Sequence, residues 1–274
     1  MTAVLEASKI SVSFGSVQAL VDVDLEVPAG KLVGLIGPNG AGKTTFIDAV
    51  TGFVPATGTV VLDGRDISAE PPHVRTRLGL ARTWQTLELF DDLTVRENCV
   101  VASRRPTTGG SLAQIVLGRR QQTRPAVDDA IRMLELDELS ERMPSDLSQG
   151  KRKLVGVARA LAGQSKLILL DEPASGLDSQ ESLDLGRRLR RVVDEGVAML
   201  LVDHDMALVL NVCDYVYVID FGRVLAHGVP SELRTNSKVL AAYLGGVATV
   251  SEPVGPAADA AEPAPAGQTG RANS

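Results

Sequence analysis

Three short stretches place chemically useful side chains at telling intervals. Gly37, Pro38, Asn39, Gly40, Ala41, Gly42, Lys43 and Thr44, with Thr45 next, fit G-x-x-x-x-G-K-[ST]. The glycines let main-chain N–H groups curl around a phosphate. Lys43 carries a positive charge to its outer oxygens, and the Thr44 hydroxyl is of the kind that ligates Mg²⁺. The second stretch, Leu167-Ile-Leu-Leu-Asp171-Glu172-Pro173, runs four aliphatics into two carboxylates. Adjacent carboxylates on an extended strand end should point apart. One can then face a metal while the other takes a proton from water, so Asp171 is assigned to Mg²⁺ and Glu172 to the general base. In the third stretch His204 stands between Asp203 and Asp205, after the apolar run Val197–Val202. By itself such a histidine reads as a structural hydrogen-bonder. At the end of a core strand beside a phosphate loop it also reads as a γ-phosphate contact.

A second loop has a similar character. Leu147-Ser-Gln-Gly-Lys151 opens a stretch with basic residues in its first turns, the form of an anion-facing helix N-terminus. Phe14, just before Gly15, reads either as core or as an exposed aromatic that stacks on a purine. Gln85 has no signal of its own.

These residues need a scaffold. Residues 32–36, 167–170, 197–202 and 216–219 are solid apolar runs, the pattern of strands buried on both faces in a mostly parallel sheet. The first thirty residues and 58–67 alternate apolar with polar and predict an antiparallel sheet. Residues 215–228 predict a hairpin turning at Asp220-Phe221-Gly222, and 44–51 a helix stopped by Gly52. From about 90 to 162 the pattern is helical, with Val127, Ile131 and Leu134 on one face, interrupted by a Gly/Pro/Ser-rich polar excursion at 103–125. A later helix after Asp178 buries Leu185, Leu189, Val192 and Val193. The Ala/Pro/Gly-rich end, 247–274, predicts a disordered tail.

Composition narrows the classes. The 274 residues carry a net charge of -6 and only 3% aromatics, which argues against wrapping nucleic acid. The basic clusters Arg119-Arg120, Lys151-Arg152-Lys153 and Arg187 to Arg191 read as solvated helix faces. Cys99 and Cys213 lack metal-ligand spacing and read as reduced thiols of a cytosolic protein. There is no signal-peptide pattern, and no apolar run approaches the ~20 residues of a membrane span, so any membrane link runs through a partner.

In chain order, Phe14, GPNGAGKTT, Gln85, LSQGK, LILLDEP, SGLD (175–178) and His204 resemble the ATP-binding cassette of ABC transporters, over residues 1–246. The resemblance implies an α/β P-loop NTPase with a RecA-like parallel core sheet, an antiparallel β-subdomain and a helical signature subdomain at about 90–162. It implies ATP hydrolysis with Mg²⁺, Phe14 stacking on adenine, Gln85 at the metal and the reacting water, and His204 at the γ-phosphate. It also implies a head-to-tail dimer in which Ser148, Gln149, Gly150 and Asp178 meet the ATP of the partner subunit. The signature loop departs from LSGGQ at Gln149 and Lys151 and retains Ser148 and Gly150. Lys151 would add charge near the partner's phosphate or alter a ribose contact.

About sixty residues separate Gln85 from Ser148, too few for the coiled coil of DNA-repair relatives, and translation factors carry two cassettes per chain. A transporter subunit remains. TGFVPATGTV, LARTWQTLELFDDLTVRENCVVA, DHDMALVL and AAYLGG are similar to an ATPase subunit of branched-chain amino acid importers. That resemblance implies a second cassette (identical or different), two transmembrane permease subunits and an extracytoplasmic solute-binding protein. It also implies a peripheral place on the cytoplasmic membrane face. Residues 85–100 would lie where a permease docks, with Leu87, Leu89, Phe90 and Leu93 read as core before groove. The alternatives are importers of urea or other amino acids, a lipid exporter, and a soluble non-transport ABC ATPase.

Overall fold

The computed structural model describes residues 2–84, 89–103 and 124–244. The expectations for Gln85, Leu87, residues 104–123 and the tail from 247 lie outside them.

The alternating N-terminal segments form a four-stranded antiparallel sheet. β1 (Ala3–Phe14) pairs with β2 (Val17–Pro28) and β4 (Thr57–Leu62), and β5 (Arg65–Asp66) extends β4. One face is dry, carrying Leu5, Ile10, Val12, Val23 and Leu25. The solid apolar runs build a six-stranded sheet. Its strands are β3 (Leu32–Ile36), β6 (Leu80–Thr83), β7 (Leu167–Asp171), β8 (Ala198–Val202), β9 (Tyr215–Asp220) and β10 (Arg223–Gly228). Their order is β10-β9-β3-β8-β7-β6, parallel throughout except for the β9–β10 hairpin. The edge strand β6 gave no sequence signal, because Leu80-Ala-Arg-Thr83 has a single fully buried aliphatic.

The central strands divide their side chains between two cores. Leu32, Ile36, Ile168, Leu170, Met199 and Leu201 face one; Val33, Leu35, Leu167, Leu169, Leu200 and Val202 face the other. That period of two with both faces dry explains the unbroken apolar runs. The second core takes α1 (Lys43–Thr51) and the antiparallel sheet. The first takes α3 (Val95–Ser103), α4 (Arg124–Met133), α5 (Gln149–Ala162), α6 (Ser179–Asp194) and α7 (Met206–Val212). The short helices α2 (Pro72–Arg77), α8 (Pro230–Leu233) and α9 (Ser237–Leu244) complete the described chain. Val127, Ile131 and Leu134 are buried together, as their spacing required, and both cysteines are free and buried. Burial pushes the Cys99 thiol up to about 12.

Three expectations need correction. Lys153 is not on a solvated face: it is 6% exposed and turned toward the strand ends. Arg188 is also largely covered, donating to the Leu134 carbonyl and to Asp184 Oδ2 at 3.0 Å. Phe90 is 43% exposed rather than core, whereas Leu89 is buried.

Arg75 organises the end of α1. Its guanidinium donates to the carbonyls of Ala49, Val50, Ser68 and Glu70 at 2.7–2.9 Å. Helix-terminal carbonyls lack intrahelical donors, and a cation suits the negative end of the helix dipole. Replacement by Met should leave the buried Val50 carbonyl without this donor and remove the cation from the end of α1. The expected loss is about 3 kcal/mol, read as a lower urea midpoint, since each orphaned acceptor costs roughly 1–3 kcal/mol. An unchanged midpoint would remove Arg75 from the stabilising set.

Candidate functional site

The C-terminal ends of β3, β8 and β7 lie side by side in the parallel sheet, the edge where ligands bind in open α/β folds. The phosphate loop leaves β3, Asp203 and His204 leave β8, and Asp171 ends β7 with Glu172 next in the chain. Residues far apart in the chain are therefore gathered by strand order alone.

Around the loop the chain packs too closely for other residues. A Cβ on Gly37 would stand 2.1 Å from the Ile219 carbonyl oxygen. Gly42 has φ 107° and ends the loop as the N-cap of α1, a conformation that disfavours any side chain. The β9–β10 turn braces it from outside. Phe221 and Gly222 both have positive φ, Gly222 N–H donates to the Ala41 carbonyl at 2.9 Å, and Val21 N–H donates to the Gly222 carbonyl at 2.8 Å. Asp220-Phe221-Gly222 is thus a hairpin turn, as expected from sequence.

Helix α1 has no side-chain cap, whereas α5, α6 and α7 are capped by Ser148, Asp178 and Asp205. The N–H groups of Lys43, Thr44 and Thr45 belong to the first turn, which has no intrahelical acceptors, and Thr44 is exposed there. An anion at this end would satisfy both the donors and the dipole. The Lys43 ammonium is held over the loop by the carbonyls of Gly37 at 2.8 Å and Pro38 at 3.0 Å. Burial lowers its pKa, against the opposing pull of Glu172, Asp203 and Asp171. Asn39 and Gly40 form the exposed crown of the loop, with Pro38 half-buried and Ala41 buried below.

Glu172 is not on an extended strand end, as its sequence position suggested. Its φ is 45°, in the left-handed region. Three main-chain contacts hold it there: its N–H donates to the Val202 carbonyl at 2.7 Å, and its carbonyl accepts from Ser175 N–H at 3.1 Å and from the Lys153 ammonium at 3.3 Å. Burial is also the main cause of a lowered Lys153 pKa. The turn after Glu172, rather than strand pleating, therefore separates its carboxylate from that of Asp171. Asp203 is fully buried and accepts from Ala174 N–H at 3.1 Å and Asp205 N–H at 3.0 Å, locking the β7 and β8 loops together. His204 Nδ1 lies 3.8 Å from Glu172 Oε2 and 3.6 Å from Asp203 Oδ1. Sequence reasoning gave Lys153 and Asp203 no such part. Asp203 had one available signal, a lone acid directly after a fully apolar strand.

Magnesium fits this donor set. Among the described residues no three His, Cys, Asp or Glu side chains converge as a metal cage. Mg²⁺ that arrives on phosphates needs only one or two protein oxygens. Asp171, 5% exposed, and the Thr44 hydroxyl are of that kind.

The remaining candidates sit elsewhere. Phe14, 53% exposed, ends β1 opposite Val17, on the β-hairpin whose Ala19 and Leu20 abut Gly42. Ser148 caps α5, accepting from Lys151 N–H at 3.4 Å, and Asp178 caps α6, accepting from Glu181 N–H at 2.8 Å. A Cβ on Gly150 would lie 3.2 Å from Glu181 Oε1, and one on Gly176 2.7 Å from Gln149 Nε2. The two helix N-termini thus form one surface. Lys151 turns its ammonium to Asp184 at 3.6 Å, a carboxylate it shares with Arg187 and Arg188.

Comparison with known proteins adds the following. Residues 20–175 match the ABC transporter family, and residues 223–249 match a family described as branched-chain amino acid ATP-binding cassette transporter. The chain is 37% identical over 249 residues to the high-affinity branched-chain amino acid transport ATP-binding protein BraF of Pseudomonas aeruginosa, covering 88% of this chain and 98% of that one. It is 36% identical to LivG of Escherichia coli K12, covering 88% and 97%. The crystal structure of the ADP conformation of MJ1267, an ATP-binding cassette of an ABC transporter, superposes with a TM-score of 0.78 at 29% identity, covering 89% and 100%.

Proposed function

The chain belongs to the ABC transporter family as an ATP-binding cassette, and on that premise we propose that it is the ATP-hydrolysing subunit of a branched-chain amino acid importer. The observation that carries the reading is the row of strand ends that brings Lys43, Asp171, Glu172 and His204 beside an uncapped helix N-terminus. The C-terminal family match at 223–249 favours branched-chain amino acids over the other solutes.

The proposed division of labour is as follows. Main-chain N–H groups of residues 37–45 and the Lys43 ammonium take the phosphates of ATP, and Phe14 stacks on its adenine. Thr44 and Asp171 would hold magnesium, with Gln85 as a further ligand. Bound Mg²⁺ neutralises charge on the phosphate oxygens. Glu172 accepts a proton from the water that attacks the γ-phosphorus. The γ-phosphorus–oxygen bond to ADP breaks as the new P–O bond forms, and His204 steadies the γ-phosphate. Ser148, Gln149, Gly150 and Asp178 cap the nucleotide of a second cassette, so that ATP binding draws two cassettes together.

ABC cassettes work in pairs with permease subunits. The proposed assembly is this chain, a second cassette, two transmembrane permeases on the cytoplasmic membrane face, and an extracytoplasmic solute-binding protein. The absence among the described residues of any helix able to cross a membrane supports a peripheral place. Residues 1–246 would form the cassette and 247–274 an appended tail. The test is a mild-detergent pull-down of tagged Glu172→Gln chain with ATP, read by mass spectrometry. Two permeases and a second cassette are expected. Recovery of soluble proteins alone would overturn the importer reading.

A further inference from the structure

Arg82 is buried one strand away from the proposed metal carboxylate. It stands on β6, which pairs in parallel with β7, and its side chain is 6% exposed. Its guanidinium makes two ion pairs. Nη2 lies 2.8 Å from Asp171 Oδ2, and Nη1 lies 2.5 Å from Asp48 Oδ1 on α1. The face of the guanidinium stacks on Trp84, 4.1 Å from the ring centroid, and Trp84 meets Phe53 edge-on with centroids 5.2 Å apart. Its Nε is buried without an acceptor. The sequence reading had no part for this residue.

We infer that Arg82 is a positioning residue that fixes the Asp171 carboxylate through one oxygen, so that the other faces the magnesium site in a set orientation. The inference rests on the proposed assignment of Asp171 to magnesium. A planar fork is what the geometry uses. One guanidinium reaches two carboxylates in two directions while its face lies on an indole, and a lysine ammonium offers no such pair of fixed vectors. Charge agrees: Arg82 is shared by two carboxylates, so it does not by itself neutralise Asp171. Without Arg82 the two acids would repel and Asp171 could rotate. Partners that orient a metal's ligands commonly affect its affinity as strongly as this demands. The same guanidinium links Asp171 to an exposed aromatic pair, Trp84 just after β6 and Phe53 just after α1.

A purely structural ion pair would affect folding and nucleotide binding in general. A positioning role affects the metal. The test therefore measures binding of a fluorescent ATP analogue to the full chain across a Mg²⁺ titration, and again in EDTA. Arg82→Gln should raise the Mg²⁺ concentration for half-maximal tightening by about tenfold, and Arg82→Lys by nearly as much, with affinity in EDTA within about twofold. Asp171→Asn is the control for the underlying assignment. If it shifts the Mg²⁺ dependence and Arg82→Gln does not, the inference is wrong. If neither shifts it, the assignment of Asp171 to magnesium fails. Should Arg82→Gln not fold, Asp48→Asn removes only the anchor on α1. A smaller shift in the same direction, about threefold, is then expected, and no shift would overturn the inference.

Discussion

Glu172→Gln should bind ATP, lose turnover by about a thousandfold and accumulate as an ATP-held dimer. Loss of a general base typically costs 10²–10⁴ in rate. The substitution keeps shape and removes only the charge and the proton-accepting oxygen. The fold around it is set by the main chain, through Val202 and Lys153, so the left-handed turn survives. Phosphate binding is assigned to residues 37–45 and should be untouched. Phosphate release gives the rate, and size-exclusion chromatography with and without ATP gives the association state. A residual rate above about a tenth of wild type would remove Glu172 from the general-base role, because that role requires a far larger loss.

Mixing two inactive variants should restore hydrolysis. Ser148→Arg blocks the signature surface and Lys43→Ala disables the phosphate loop. In a head-to-tail pair each site joins one chain's loop to the other's signature. A mixed dimer therefore holds one site free of both lesions and one that carries both. With random pairing of equal amounts, about a quarter of sites are intact, by the symmetry of a two-fold pair. If signature and loop instead served the same nucleotide within one chain, every site in the mixture would carry a lesion. Activity no higher than the sum of the separate variants would overturn the in-trans arrangement for a pair of identical chains. The geometry favours recovery: Gln149, Gly150 and Lys151 contact Gly176, Glu181 and Asp184 of their own chain, which leaves the capped N-termini of α5 and α6 as a surface.

The sequence by itself determined the features that are local. The phosphate loop is one contiguous stretch because main-chain donors at a helix start must be consecutive. Strands buried on both faces announce themselves as apolar runs, and acids that follow such runs mark the active edge of the sheet. The order of motifs then carried the family, and with it the expectation that the signature loop serves a partner's nucleotide.

Tertiary structure decided what depends on the neighbour a side chain meets. Lys151, Arg152 and Lys153 are consecutive on α5, so their directions differ by about 100° per residue. One faces Asp184 and another the carbonyl of Glu172. No local rule says which, since that depends on how α5 lies against β7. Arg82 carried no signal in the sequence. Only the pairing of β6 with β7 and the approach of α1 put Asp171 and Asp48 at the two ends of its fork. The bend at Glu172 likewise needs tertiary partners beside its local turn: its N–H donates to the Val202 carbonyl of β8, and its carbonyl accepts from Lys153 of α5 as well as from Ser175 N–H.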